Sequence, residues 1–441
     1  MKTRFIILLT LLYCLTGIGQ HSISGNFTPA KDFKWLIAYQ LTPGSQHYVA
    51  DTAVKEGYFN LELPANALSG MYRLVYAVPQ DEFYIDVIYN GQEDIQFNFN
   101  PEDGITFVTS EENRTYSNYL FEITALEKQL ADFYESGNSS KKEYRKIIKN
   151  LSEVQIKFEA KGTTTLVYQF IKSNTPYIPD SYEDLDTFFS NKKKVYFDYL
   201  DFDSSFLQSS KFLKEALSNY IFSALPLDVT TKEAMQSAIL KNVAEVSEKF
   251  KDTPIPFKIA VFQELWKTSN TNLLHHVSDA IFNTYLRDLA GQNGDQAIID
   301  EIELSSRLRI GALSPEITWT QDDKTSTLSG LEGAERYVLV FWSSTCSHCL
   351  KELPMLHKEL LNYKNVRVVA VGLEDNDTFW KQEIENLPSF QHAIALGKWE
   401  SDYAQLFGIK QTPTYFILDK DKHFLASPEE YKDVVSFLNK K

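Results

Sequence analysis

Cysteine is scarce in this chain, with three residues in 441, and Cys14 lies inside an N-terminal stretch laid out like a secretory signal. A scaffold stapled by several disulfides is therefore excluded. A four-cysteine zinc site is excluded with it, because Cys346 and Cys349 form one close pair and no second pair exists. His348 sits between those cysteines and His357 lies eight residues past Cys349, so neither completes a zinc ligand set. Positive charge is also short, with 44 Lys plus Arg against 59 Asp plus Glu and a net charge of −15. That balance excludes a nucleic-acid partner, which needs a basic surface. Proline is missing from 338–349, and Ser343 rather than Thr stands three residues before Cys346, which excludes a peroxiredoxin motif. The spacing Cys346-Ser347-His348-Cys349 is one residue too short for a copper-delivery Cys-x-x-x-Cys site.

What is present starts with export. Lys2 and Arg4 precede the apolar run Phe5 to Leu15, broken only by Thr10, and Gly17-Ile18-Gly19 offers small residues to a signal peptidase. This run is too short to span a bilayer, so residues 1–19 read as a cleaved signal and place the protein in the cell envelope or periplasm. Leu11 stands three residues before Cys14, as in a lipoprotein signal, but Tyr13 occupies a position where a small residue is usual and argues against that anchor. Once the signal leaves, an exported protein keeps a single close cysteine pair, which points to redox chemistry.

The length calls for more than one core. Over 20–110, Phe59, Leu61 and Leu63 alternate with polar residues, as do Ile95, Phe97 and Phe99. This period of two predicts an antiparallel β-sandwich with turns at Pro43-Gly44, Asn90-Gly91 and Asp103-Gly104, the second read as a hairpin. Over 111–305, Leu126, Leu130 and Phe133, then Tyr144, Ile147, Ile148 and Leu151, recur at helical spacing, with prolines between the segments. An α-helical domain is expected there. His275 and His276 are adjacent rather than one helical turn apart, so they cannot share one metal. Residues 306–441 read as β-α-β-α-β-β-α after a short hairpin, the order of a thioredoxin-like α/β domain.

In that last domain the apolar strand 338–342 runs into Cys346 and Cys349, and a helix follows over 350–363. A cysteine at a helix N-terminus faces unpaired N–H groups and the positive end of the dipole, which favour a thiolate. Cys346 is thus the nucleophile, and Cys349, one turn on, can close a disulfide with it.

Phe341-Trp342, Cys346-Ser347-His348-Cys349 and Glu352-Leu353-Pro354, with Gly408-Ile409, Thr412-Pro413-Thr414-Tyr415-Phe416-Ile417 and Asp419 downstream, resemble the TlpA/ResA-like branch of thioredoxin-fold oxidoreductases of bacterial envelopes. The resemblance covers 311–441. The two front domains resemble, more loosely, those that precede such modules in Bacteroides-like bacteria. It implies that Cys346 attacks, Cys349 resolves, and Pro413, preceded by Thr412, is the cis-proline beside the dithiol. It also implies that Glu352, one turn beyond Cys349, exchanges a proton with that thiol. His348 resembles the histidine that stabilises the thiolate in isomerases and strong oxidases, whereas the branch itself points to a reductant. The sequence departs from the pattern at Thr345, where a Trp is usual, at Val340, where thioredoxins carry a buried acid, and at Lys422, where a turn Gly is usual.

Two functions compete. In the first, the chain is an envelope thiol–disulfide oxidoreductase with protein disulfides as substrates, no bound cofactor and a membrane thiol donor or acceptor as recycling partner. In the second, it is a non-enzymatic binding protein whose thioredoxin-like module is a redox-regulated clasp. Catalytic turnover separates them. No sequence feature specifies an oligomer.

Overall fold

A computed structural model of the chain describes residues 21–226, 228–321 and 324–440, so the expected signal and Cys14 lie outside the described residues. The described residues form two compact units, divided between Asn293 and Gly294. The helix Gln296–Leu308 thus belongs to the second unit, ahead of the boundary at 306 expected from sequence.

The first unit opens with eight strands, β1 Ser22–Phe27, β2 Trp35–Thr42, β3 Ser45–Ala53, β4 Tyr58–Glu62, β5 Gly70–Val75, β6 Tyr84–Tyr89, β7 Ile95–Asn100 and β8 Gly104–Phe107. They form two four-stranded sheets, ordered β4-β1-β7-β8 and β3-β2-β5-β6. One apolar cluster holds side chains of both, including Phe27, Phe59 and Phe97 from the first and Leu36, Tyr72 and Val87 from the second.

Two expectations are corrected here. The strands are not all antiparallel: β1 lies parallel to β7, Ile23 opposite Ile95, which the long excursion between them allows. Asn90-Gly91 is not a hairpin, since β6 and β7 lie in different sheets. Gly91 has φ 76° and the Asn90 side chain accepts the Gln92 N–H, so the local turn forms but redirects the chain from one sheet to the other.

Helices follow from Glu111 to Asn293. The first, Glu111–Glu135, is tied to the edge strand β6 by buried Asn113, whose amide accepts the Ile88 N–H at 2.8 Å and donates to the Ile88 carbonyl at 2.7 Å. An edge strand's open backbone is thus satisfied by a helix side chain.

In the second unit, the short hairpin β9 Thr318–Gln321 and β10 Lys324–Thr327 precedes a five-stranded sheet ordered β13-β12-β11-β14-β15. Its strands are β11 Arg336–Trp342, β12 Val366–Glu374, β13 Gln391–Leu396, β14 Thr414–Asp419 and β15 Phe424–Ala426. β11 is central and buried on both faces, which explains its unbroken apolar run. Alternation divides it: Tyr337, Leu339 and Phe341 join one core with Phe407 and Phe416. Val338, Val340 and Trp342 join the other with Cys349, Leu353 and Tyr415. The sheet therefore carries Tyr415 and the helix Cys349–Leu360 on the same face. Strand β13 was not foreseen from sequence, because His392-Ala393-Ile394-Ala395 is short and rich in alanine, a weak strand former. Lys422, at φ 70°, takes the turn position of the usual glycine and buries its amine against the Leu331 and Lys420 carbonyls.

Candidate active site

β11 ends at Trp342, and a short loop carries the chain into the helix Cys349–Leu360. Within that loop the Cys346 N–H donates to the Ser343 carbonyl at 3.1 Å. The Cys349 N–H, first of the helix, donates to Cys346 Sγ at 3.2 Å. The sulfur takes the role an N-cap side chain usually fills, satisfying an orphan helix N–H. Cys346 Sγ also lies 3.5 Å from the Thr412 carbonyl, and the Thr412–Pro413 peptide is cis.

The two thiols are free and unequal. Cys346 is partly exposed and Cys349 fully buried. Burial pushes the Cys346 pKa up, but hydrogen bonds from the Cys349 thiol and backbone N–H outweigh it and leave the value below the ordinary thiol range. Burial, reinforced by the hydrogen bond to Cys346, pushes Cys349 up to about 12. One sulfur is thus prepared to attack and the other to keep its proton.

Glu352 lies on the same helix and is 8 % exposed at its side chain. His348 Nε2 meets its Oε1 at 3.1 Å, and the Tyr415 hydroxyl donates to its Oε2 at 2.8 Å. Burial first, then Glu352, raises the Tyr415 pKa, so the phenol stays a donor. The structure thus gathers Cys346, Cys349, Glu352, His348, Thr412 and Pro413 at one end of the sheet. Within this cluster the His348 imidazole pairs with Glu352.

Two residues escaped the sequence reading as site members. Tyr415 was legible only as part of a strand. Glu374, 2 % exposed at the end of β12, accepts the Ser344 N–H and, at 3.4 Å, the Ser343 hydroxyl, and so pins the loop before Cys346. An acid closing an apolar strand run was the available signal. Neither cavity of note touches the dithiol. One of about 900 Å³, lined by Glu316, Leu331, Tyr337 and Lys422, opens near the start of β11, and one of about 280 Å³ lies among helices of the first unit beside Tyr134 and Phe188. Among the described residues, no cluster of three or more His, Cys, Asp or Glu is arranged to hold a metal, and no helix is long and apolar enough to cross a membrane.

A central strand leading into Cys-x-x-Cys at a helix N-terminus, with a cis-proline facing it, defines the second unit as a thioredoxin-like domain. Comparison with known proteins agrees: residues 334–424 match the family described as thioredoxin-like. The thiol-disulfide oxidoreductase ResA of Bacillus anthracis is 27% identical over 118 residues, 26% of this chain and 66% of that protein. The chain therefore spans just under two thirds of the curated relatives it matches. Among solved structures, the thioredoxin domain of a thiol-disulfide oxidoreductase from Bacteroides vulgatus is 24% identical, covering 30% of this chain and 99% of its own, with a TM-score of 0.27. A thioredoxin-like protein from Bacteroides caccae is 17% identical, covering 60% of this chain and 96% of its own, with a TM-score of 0.30.

Proposed function

We propose that this chain is an envelope thiol–disulfide oxidoreductase acting on protein disulfides. The observation that carries the reading is the unequal dithiol: an accessible Cys346 with a lowered pKa and a buried Cys349 held near 12. The Cys346 thiolate attacks one sulfur of a substrate disulfide, forming a mixed disulfide and expelling the other sulfur as a thiolate. Glu352 then takes the Cys349 proton. The Cys349 thiolate attacks Cys346 Sγ, closing the Cys346–Cys349 disulfide and releasing the second substrate thiolate. Run backwards, the same steps oxidise a substrate dithiol.

Thr412 and cis-Pro413 border Cys346 and offer the backbone edge along which a substrate chain lies. No bound cofactor takes part, and a membrane thiol donor or acceptor resets the pair. The front unit, read as a β-sandwich joined to a helical domain, serves as the binding or spacing platform for an exported protein.

The test is turnover. The full chain should catalyse reduction of insulin disulfides by a small thiol, and Cys346→Ser should abolish it. Activity that survives this substitution would sink the reading.

A further inference from the structure

The buried carboxylate of Glu352 divides its two oxygens between partners of opposite kind. Oε2 receives the hydroxyl of Tyr415, which is fully buried. Oε1 meets the imidazole of His348, whose side chain is 63 % exposed. An acid that takes a proton from Cys349 in each turnover has to pass it on before the next. Tyr415 leads into the core. Of the two partners, His348 alone reaches solvent.

We propose that His348 is the proton port of the dithiol, and that Tyr415 is the positioning residue that holds Glu352 toward it. The proposal rests on the resolving roles given above to Cys349 and Glu352. In the resolving step the proton leaves Cys349 Sγ for the Glu352 carboxylate, and the freed electron pair forms the bond to Cys346 Sγ as the bond to the substrate sulfur breaks. The proton then moves from Oε1 to His348 Nε2, giving an imidazolium at the surface that releases it to water. In the oxidising direction it enters by the same route. The groups that meet Glu352 are His348, the N-cap of its helix, and Tyr415 from β14, and Cys349 stands one turn before it on the same helix. The inter-cysteine histidine is thereby a gate for the second sulfur rather than a counter-charge for the first.

Ellman's reagent, an aromatic disulfide, separates the two sulfurs in one experiment. Mixed with the reduced full chain in a stopped-flow instrument, it releases one coloured thiolate when Cys346 attacks and a second when Cys349 resolves. In His348→Gln the first phase should match the wild type, because the amide can still bond the carboxylate. The second phase should slow by about tenfold or more, since an acid–base partner is lost. Added imidazole should restore it, because the free base replaces the missing proton acceptor. Tyr415→Phe should slow the second phase as well, and imidazole should not restore it, because the acceptor His348 is still in place. An unchanged second phase in His348→Gln, or a slowed one that imidazole does not restore, overturns the port. A wild-type protein with no second release overturns the dithiol reading itself, and the port falls with it.

Discussion

The sulfurs of Cys346 and Cys349 sit at the same helix end yet respond oppositely to it. Cys346 receives the helix N–H, whereas Cys349 is buried and hydrogen-bonded to the other sulfur. Thiol alkylation followed by mass spectrometry should reveal the asymmetry. Cys346 should be modified at pH values below the ordinary thiol pKa of about 8.5, and Cys349 only as pH approaches 12. Equal rates at neutral pH would contradict it. The His348 contact carries its own consequence. Because the imidazole pairs with Glu352, His348→Ala should move the dithiol's redox potential by less than about 30 mV, the equivalent of about 1.4 kcal/mol. A larger shift against a glutathione buffer would return the histidine to a thiolate-stabilising role. At this scale the sequence was informative about chemistry and less so about aim. The spacing of Cys346, Cys349 and Glu352 specifies one helix turn after another, because helical geometry is local. Which way His348 points depends on a carboxylate also held by Tyr415, and that arises from tertiary packing.

Among the elements, the pairing of β1 with β7 leaves no room at Gly25. A Cβ there would lie 1.8 Å from the Phe97 carbonyl oxygen, a backbone atom in the neighbouring strand that cannot swing aside. Gly25→Ala should therefore destabilise the protein at the upper end of the about 1–3 kcal/mol typical of overpacking. Gly291→Ala, in a helix with nothing within 4 Å of the added carbon, serves as the control and should be neutral or slightly stabilising. Chemical denaturation of the two variants decides it, and equal midpoints would remove the steric argument. Alternating strands such as β4 and β7 and the continuous run of β11 could be read directly, since each pattern reports its own burial. The partner of each strand could not. Asn90-Gly91 encodes a turn but not the sheet that receives the next strand, and β13 has a single β-branched residue, Ile394, set between alanines. At 422 a lysine at positive φ donates its amine to the Lys420 carbonyl within the turn and to the Leu331 carbonyl before β11, and the second contact is one no local pattern encodes.

For the whole molecule, the abundance of aromatic residues has a consequence that follows from burial. The chain has 24 tyrosines, and in the first unit Tyr72, Tyr119, Tyr144 and Tyr220 are fully or almost fully buried. Burial raises the pKa of Tyr72 and Tyr196 to about 12 and pushes Tyr116, Tyr119, Tyr134 and Tyr220 up as well. The folded protein then holds protons that the unfolded chain releases near pH 10, so stability falls as pH rises. The contribution is fully present below about pH 10 and is lost progressively toward pH 12, where Tyr72 and Tyr196 ionise even in the folded state. Phenolate absorbance and circular dichroism recorded together across that window should show a group of tyrosines ionising only as structure is lost. If every tyrosine titrates near pH 10 while the circular dichroism stays native, the phenols are reachable by water and their burial does not support the front unit. Acid should leave this contribution intact, since all six phenols remain protonated in both states.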